Sequence, residues 1–304
     1  MFAFGNDKKL PKLKSPNPDR GKKKKKKIPE NKEVVSPLKA PMITPSNAKK
    51  TRKSSSDYIV ISCNSSDWVF SQSVALCSVN VNSNGHTITS STANYVNDNG
   101  NSWETSVVKK YYDTFIGGHN YYNHIQDPRE SYGFIVNARC RDVKVANEIV
   151  SFVDVLMATN INKTPNESIL KRILSKDINT SSMGCVSDVI KCSKCGALSE
   201  DDTDECVHMK FQLGNRYKSN YGDSVVAALI SDESKSSNNG YLEFYEQSWV
   251  PNPAFRGAVA AYRLEVPKNT ELFFKMPIKA LERKEKVKNG MKVWLDRNEF
   301  KVVK

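Results

Sequence analysis

The chain has 304 residues, a formal net charge of +13 and seven cysteines. We expect neither a membrane span nor a secretory signal, because no apolar run approaches about 18 residues and the N-terminus lacks an apolar signal core. Residues 1–57 hold 17 lysine and arginine residues against 5 aspartate and glutamate residues, a net charge of +12, so the remaining chain carries only +1.

Residues 1–57 also contain 7 of the 13 prolines and the lysine run Lys22–Lys27. Such a segment cannot bury enough apolar surface to offset the entropy of ordering it. We therefore predict a disordered basic tail. It either adds solubility only, or binds an acidic partner such as a nucleic acid or an acidic scaffold protein. The nearly neutral remainder argues against nucleic acid as the main partner, so any such binding should use the tail.

Strands are predicted from residue 58 to about residue 160. The segments alternate polar and apolar residues, or run apolar with many β-branched residues, which is the pattern of β-strands. In chain order the predicted strands are DYIVISC, SVALCSVNVNS, VVKKYYDTFIGG, SYGFIVNARCRDV and EIVSFVDVLMAT.

A helix is predicted in the segment TPNESILKRILSK. Thr164 is the expected N-cap, with Pro165 at the first helical position and Glu167 completing a capping box. The helix should end near Lys176. Its apolar face is formed by Ile169, Leu170, Ile173 and Leu174.

Two further strands are predicted in SVVAALIS and GYLEFYEQSWV. Near the end, MPIKALERKEKVKNG could form a short helix, and MKVWLDRNEFKVV a strand pair or a docking tail. Together these patterns favour an α+β protein that is mainly antiparallel β.

A cysteine–histidine cluster follows the predicted helix. Cys192 and Cys195 are separated by two residues, and Cys206 and His208 by one. Three thiolates and one imidazole form a closed tetrahedral ligand set that is typical of structural Zn²⁺. The cluster, and the odd number of cysteines, favour metal binding in a reducing compartment over a disulfide framework. Cys185 is a spare thiol that could replace one ligand.

Ser182 begins a Ser-x-Gly sequence just before this cluster, and a nucleophilic serine needs a histidine base and an acid that orients the base. The chain has four histidines. His208 belongs to the metal cluster and His86 lies in a polar turn. His119 and His124 therefore remain as candidates for the base.

Three segments, in order, resemble motifs of one protease family. They are NHIQDPRESYGFIVNA with its histidine, TSSMG with its serine, and FYEQSWVPNPAFRGA with its glutamate. They resemble the tailed-phage prohead (head maturation) proteases, which are herpesvirus-assemblin-like serine proteases. The resemblance covers roughly residues 100–265. Gln247 and Trp249 depart from it, because smaller apolar residues are more usual there.

The resemblance implies a role for each of three residues. Ser182 would be the nucleophile, His124 the general base and Glu246 the acid that orients the imidazole. Asp154 is the alternative acid, and His119 is the alternative base.

The resemblance also implies a domain layout. An assemblin-like β-barrel with flanking helices would span residues 58–265 and carry a zinc-bound insertion at about 185–240. Residues 266–304 would be a basic C-terminal extension.

The implied function is a serine endopeptidase that matures viral capsids. Its substrates would be the capsid scaffold and the major capsid protein, with self-cleavage and self-association as further expectations and no membrane partner. It would act in the procapsid or virion interior, and in the host cytoplasm during assembly. The alternative is a non-enzymatic, zinc-containing virion protein or nucleic-acid-binding structural protein.

Overall fold

The computed structural model of the chain describes residues 58–82, 94–145, 148–162, 164–233, 241–260, 262–277 and 301–303. Four sequence predictions lie wholly or mostly outside these residues: the disordered basic tail, the turn that contains His86, the short helix expected in MPIKALERKEKVKNG, and the strand pair or docking tail expected in MKVWLDRNEFKVV. All described residues belong to one compact unit.

Strands form most of the described structure. They are β1 (Tyr58–Asn64), β2 (Trp68–Val79), β3 (Asn101–Glu104), β4 (His119–Asn120), β5 (Gly133–Val145), β6 (Glu148–Asn160), β7 (Ser181–Ser187), β8 (Val189–Cys192), β9 (Leu198–Ser199), β10 (Arg216–Ser219), β11 (Gly222–Val225), β12 (Ala228–Ser231), β13 (Leu242–Trp249), β14 (Tyr262–Arg263), β15 (Glu271–Pro277) and β16 (Lys301–Val303).

The main sheet has eleven strands and curls into a half-barrel. Its order is β7-β13-β4-β5-β6-β2-β3-β12-β8-β9, and β14 pairs with β2 outside this path. Most ladders are antiparallel, whereas β13–β4, β2–β3 and β12–β3 are parallel. The prediction of a mainly antiparallel β protein is thus confirmed, and the described structure has few helices.

Two smaller sheets accompany the main one. β1 lies between β15 and β16, and β10 pairs with β11 as a hairpin. Residues 271–277, which the sequence assigned to a C-terminal extension, therefore pair with the first strand of the described structure. The rings of Phe70 in β2 and Phe274 in β15 lie 5.5 Å apart. This contact packs the three-stranded sheet against the main sheet.

The apolar core is built on aromatic pairs from distant parts of the chain. Trp68 meets Phe134 edge-on with ring centroids 5.1 Å apart, and Phe115 stacks on Phe244 at 4.6 Å. Burial of each such side chain stabilises the fold by about 1.5–3 kcal/mol. The second pair anchors β13, the strand that carries Glu246.

The predicted strand VVKKYYDTFIGG is wrong, because this segment is helical. Helix α1 spans Thr105–Tyr111 and a 3-10 turn follows at Tyr112–Phe115. Val107 and Val108, which are adjacent in α1, are both buried, and so is Phe115 in the turn that follows. Adjacent strand residues point to opposite faces, so burial of these adjacent valines in the helix outweighs their strand preference.

The predicted helix is present as α2, Glu167–Ser175, but its N-cap is wrong. Asn166 caps the helix, since its side-chain oxygen accepts hydrogen bonds from the backbone N–H groups of Ser168 and Ile169. Thr164 lies before the cap and Glu167 is the first helical residue. The helix ends as expected, with Lys176 in the left-handed conformation at φ 69°.

A third helix, α3, spans Val207–Gln212 in the metal-cluster region. Within the described ranges, no helix is long and apolar enough to cross a membrane.

Candidate active site and metal cluster

Three neighbouring strands at one end of the main sheet bring the candidate residues together. β13 lies between β7 and β4. Ser182 lies in β7, Glu246 in β13, and His124 four residues beyond the end of β4. The chain after β4 stays beside β13, because the Asn123 N–H donates to the carbonyl of Trp249 at 3.0 Å.

His124 and Glu246 are in direct contact. The Nδ1 atom of His124 lies 2.9 Å from Oε1 of Glu246. Asn123 and His124 both have positive φ angles, 50° and 59°, so the backbone makes a left-handed turn there. The glutamate side chain is 1% exposed and the histidine side chain 38% exposed. The pair thus joins a buried carboxylate to a solvent-accessible imidazole, which is the relation between acid and base in a catalytic triad.

The Glu246 carboxylate also accepts hydrogen bonds from two other side chains. Ser248 Oγ donates to Oε2 at 2.6 Å, and Gln126 Nε2 donates to Oε1 at 3.3 Å. Burial, and then the negative charge of Glu246, raises the pKa values of Tyr121 and Tyr245. These two phenols therefore stay protonated at neutral pH.

Ser182 lies on the same face of the sheet as Glu246. In the antiparallel ladder Ser182 is opposite Ser248, and Gly184 is opposite Glu246. Residues that face each other across a ladder, or lie two apart along a strand, share a face. Ser182, Glu246 and the Ser248 hydroxyl therefore lie on one side of β7 and β13.

Gly184 provides the space that Glu246 occupies. A Cβ atom at position 184 would lie 2.6 Å from Cγ of Glu246, and nearer still to Oε1. Gly184 has no left-handed backbone, and the Ser-x-Gly sequence is part of β7 and not a turn. Position 184 thus requires glycine because the Glu246 side chain occupies the space that a Cβ atom would need.

Asp154 and His119, the alternative acid and the alternative base, contact other side chains. Asp154 is in β6, which β4 and β5 separate from β13, and its Oδ2 accepts from Arg141 Nε at 2.6 Å. His119 is buried in β4, and its Nδ1 lies 2.9 Å from Ser131 Oγ. The structure thus brings Glu246, and not Asp154, to His124.

The cysteine–histidine cluster is also assembled. The ligand atoms of Cys192, Cys195, Cys206 and His208 all lie within 4.8 Å of one another. Cys195 Sγ is 3.5 Å from Cys206 Sγ, which is 4.0 Å from His208 Nδ1. Bonds of about 2.3 Å in a tetrahedron place two sulfur atoms about 3.8 Å apart. The group could therefore hold a metal ion.

Local backbone structure explains how the first two ligands meet. The chain turns sharply after β8, where the Gly196 N–H donates to the Cys192 carbonyl at 2.8 Å. Gly196 has φ 71°, a conformation that glycine adopts without strain. Cys206 and His208 come from the start of α3. Cys185 lies in β7, outside this group of four.

Sequence reasoning missed Ser248, Gln126 and the steric role of Gly184. One signal for Ser248 was present, because Glu246 and Ser248 are two apart in a predicted strand and must share a face. Gln126 carried no such signal. It reaches Glu246 only because of the turn at Asn123 and His124.

No protein-family model, no curated protein and no solved structure matches this chain.

Proposed function

We propose that the chain is a serine peptidase in which Ser182 is the nucleophile, His124 the base and Glu246 the orienting acid. The observation that carries this proposal is the 2.9 Å contact between His124 Nδ1 and Glu246 Oε1. The two residues are 122 positions apart in the sequence, so the contact is made by the fold and not by local structure. The register that places Ser182 on the same face adds support.

In the proposed mechanism, Glu246 accepts a hydrogen bond from the Nδ1–H group of His124 and so leaves the Nε2 lone pair for the serine hydroxyl. His124 takes the Ser182 proton as Ser182 Oγ attacks a peptide carbonyl, and later gives it to the leaving amine. Glu246 stabilises the imidazolium that forms in between. The buried carboxylate keeps this orientation because Ser248 and Gln126 donate to it.

The position of β7 fits a peptide substrate. Among the described residues, β7 is the last strand at its end of the main sheet. An extended peptide can add to such an edge through backbone hydrogen bonds. The N-terminal end of β7 is already covered, since the Ser181 N–H donates to the Ala258 carbonyl at 3.0 Å, so a peptide would add to the edge from Ser182 onward. The substrate carbonyl would then lie beside Ser182.

The biological role proposed here is maturation of viral capsids in an assemblin-like fold, with scaffold and capsid proteins as substrates inside the procapsid. Its support is the ordered set of three motifs and the contact between two of their residues. The basic segment at residues 1–57 suits an acidic scaffold protein.

A fluorophosphonate probe tests the nucleophile, because it reacts with an activated serine without a known substrate. We expect labelling at Ser182 in the full chain, loss of labelling in Ser182→Ala, and strongly slowed labelling in His124→Gln. Ser175→Ala, which alters an exposed hydroxyl at the end of α2, is the control. Absence of labelling, or labelling that persists in Ser182→Ala, would refute the proposal.

Peptidase activity is then tested by intact mass of the full chain. Self-processing in the parent that disappears in Ser182→Ala would support an endopeptidase. Processing that continues in the variant would assign cleavage to another enzyme.

We propose structural Zn²⁺ for the cysteine–histidine cluster. Three thiolates and an imidazole fill a tetrahedral shell and leave no position for water, so the ion would fold the segment between β8 and β12 and not take part in hydrolysis.

The cluster also favours a second candidate function, a non-enzymatic, zinc-containing structural protein of a virion. That function predicts that Ser182→Ala changes neither the covalent state of the chain nor its assembly.

A further inference from the structure

We propose that Ser248 is a positioning residue that fixes the Glu246 carboxylate for its contact with His124. This inference rests on the proposed serine peptidase function. Ser248 does not touch the reacting atoms. It acts through Glu246.

The first observation is that the two oxygens of the Glu246 carboxylate have different partners. Oε1 of Glu246 lies 2.9 Å from His124 Nδ1, and Oε2 accepts from Ser248 Oγ at 2.6 Å. A carboxylate can rotate about its last side-chain bond unless both oxygens are held. The Ser248 hydroxyl holds the oxygen that the histidine does not use.

The second observation is burial. Ser248 and Glu246 are both buried. A buried carboxylate oxygen that loses its donor keeps the cost of having left water, and it turns toward any other donor within reach. Within the described structure, Gln126 already donates to the other oxygen at 3.3 Å. Loss of the Ser248 hydroxyl would remove the restraint on Oε2, so the carboxylate could turn to bring Oε2 toward Gln126 and would no longer be held with Oε1 facing His124.

The third observation is the ladder register. Ser248 is directly opposite Ser182, and Glu246 is opposite Gly184. The serine that orients the acid thus lies across from the proposed nucleophile. Glu246 and Ser248 both belong to β13, so one strand carries the acid and its positioning hydroxyl. The backbone of β13 fixes the distance between them.

The test compares Ser248→Ala with Ser248→Thr, which keeps a hydroxyl at the same branch point. Ser187→Ala is the matched control, because Ser187 is an equally buried serine of β7 whose hydroxyl bonds to the carbonyls of Val189 and Ser231. Two quantities are measured on folded protein. One is the rate of fluorophosphonate labelling of Ser182, and the other is the imidazole Nδ1 proton signal of His124 by NMR.

We expect Ser248→Ala to slow labelling about 10- to 100-fold, the loss that corresponds to a hydrogen bond to a charged group. Ser248→Thr should stay within a few-fold of the parent, and Ser187→Ala should match the parent. The Nδ1 proton signal should shift, or be lost through faster exchange, in Ser248→Ala only.

The possible outcomes separate the two proposals. Labelling of Ser182 at the parent rate in Ser248→Ala would overturn the role of Ser248 while leaving the nucleophile intact. A parent that is not labelled at Ser182 would overturn the proposed function. In that case the positioning role of Ser248 is judged from the NMR signal of the His124 Nδ1 proton. An unchanged signal in Ser248→Ala would overturn that role.

Discussion

At the scale of single residues, Gly184 links the Ser-x-Gly sequence to the acid. We predict that Gly184→Ala destabilises the fold by about 1–3 kcal/mol, the usual cost of overpacking. The added methyl group would meet Glu246 Cγ at 2.6 Å. The same variant should slow fluorophosphonate labelling of Ser182, since the carboxylate must move away from His124. Urea unfolding and labelling rates measure the two effects.

The control for this prediction is a double-mutant cycle. In a Glu246→Ala background the methyl group has more room, so the cost of Gly184→Ala should become smaller. Tyr245 Cζ would still lie 2.9 Å from the methyl carbon, so the relief should be partial. Equal costs in both backgrounds would show that Glu246 is not the reason for the glycine.

The residues of the candidate site could be proposed from the sequence, but their geometry could not. Ser182, His124 and Glu246 follow from three short motifs, whereas Ser248 depends on which residue faces Ser182 across the ladder. A shift of one residue in the pairing of β7 with β13 would move Ser182 to the other face. The left-handed turn at Asn123 and His124 is only weakly signalled by residue type, because asparagine and histidine are enriched at positive φ but adopt other conformations at most positions.

At the scale of elements, the metal cluster joins β8 to α3. We predict one Zn²⁺ per chain by native mass spectrometry, lost in Cys195→Ser and kept in Cys185→Ser. Removal of the ion should increase hydrogen exchange in residues 192–212, and leave β5 and β6 protected. Met209 is the one buried residue of α3, and the acidic loop before the helix is largely exposed, so the ion would supply most of their order.

Cys185→Ser is the matched control, because Cys185 lies in β7 and outside the four-ligand group. Metal loss in Cys185→Ser would mean that the ligand set is not the one described. Unchanged exchange after chelation would mean that residues 192–212 fold without an ion.

A buried ion pair links two strands near the end of the main sheet that lies opposite β7. Lys191 in β8 lies 2.9 Å from Glu104 in β3, and both side chains are at most 5% exposed. We predict that Lys191→Met destabilises the fold by about 3–5 kcal/mol, because it leaves a buried carboxylate without its cation. Lys218→Met is the control. Lys218 and its partner Asp223 are exposed, so this change should cost less than about 1 kcal/mol.

The cost of Lys191→Met should depend on pH. Burial raises the pKa of Glu104 above its ordinary value of 4.5 even with Lys191 present, and removal of the lysine raises that pKa further. A raised carboxyl pKa means that the folded state holds the proton more tightly than the unfolded state. The loss of stability in Lys191→Met is therefore small below pH 4.5, and it grows as the pH rises through the raised pKa of Glu104. An equal loss of unfolding free energy in Lys191→Met at about pH 4 and about pH 8 would contradict this expectation.

The elements themselves were only partly predictable. β1, β5, β6 and β13 show clear strand patterns and form where expected. The segment that forms α1 was instead predicted as a strand, because Val107 and Val108 favour strands locally and only burial against the core selects the helix. The order of strands in the main sheet joins residues more than a hundred positions apart, and no local pattern specifies such pairing.

At the scale of the whole chain, positive charge is concentrated in residues 1–57, which carry +12, whereas the remainder carries +1. Any binding of nucleic acid should therefore depend on that segment. We predict that glutamine at all six positions of Lys22–Lys27 weakens binding to a random-sequence oligonucleotide and lowers the salt dependence of log K by up to about 5, as six fewer counterions are released. Fluorophosphonate labelling of Ser182 should not change.

The control replaces six exposed lysines of the described structure, namely Lys171, Lys176, Lys210, Lys218, Lys268 and Lys275. These lysines are interspersed with acidic residues, so their replacement should change the salt dependence much less than replacement of Lys22–Lys27. Fluorescence anisotropy across a series of salt concentrations measures both slopes. A larger loss in this control than in the Lys22–Lys27 variant would place nucleic-acid binding on the described structure and would favour the nucleic-acid-binding structural protein over the peptidase.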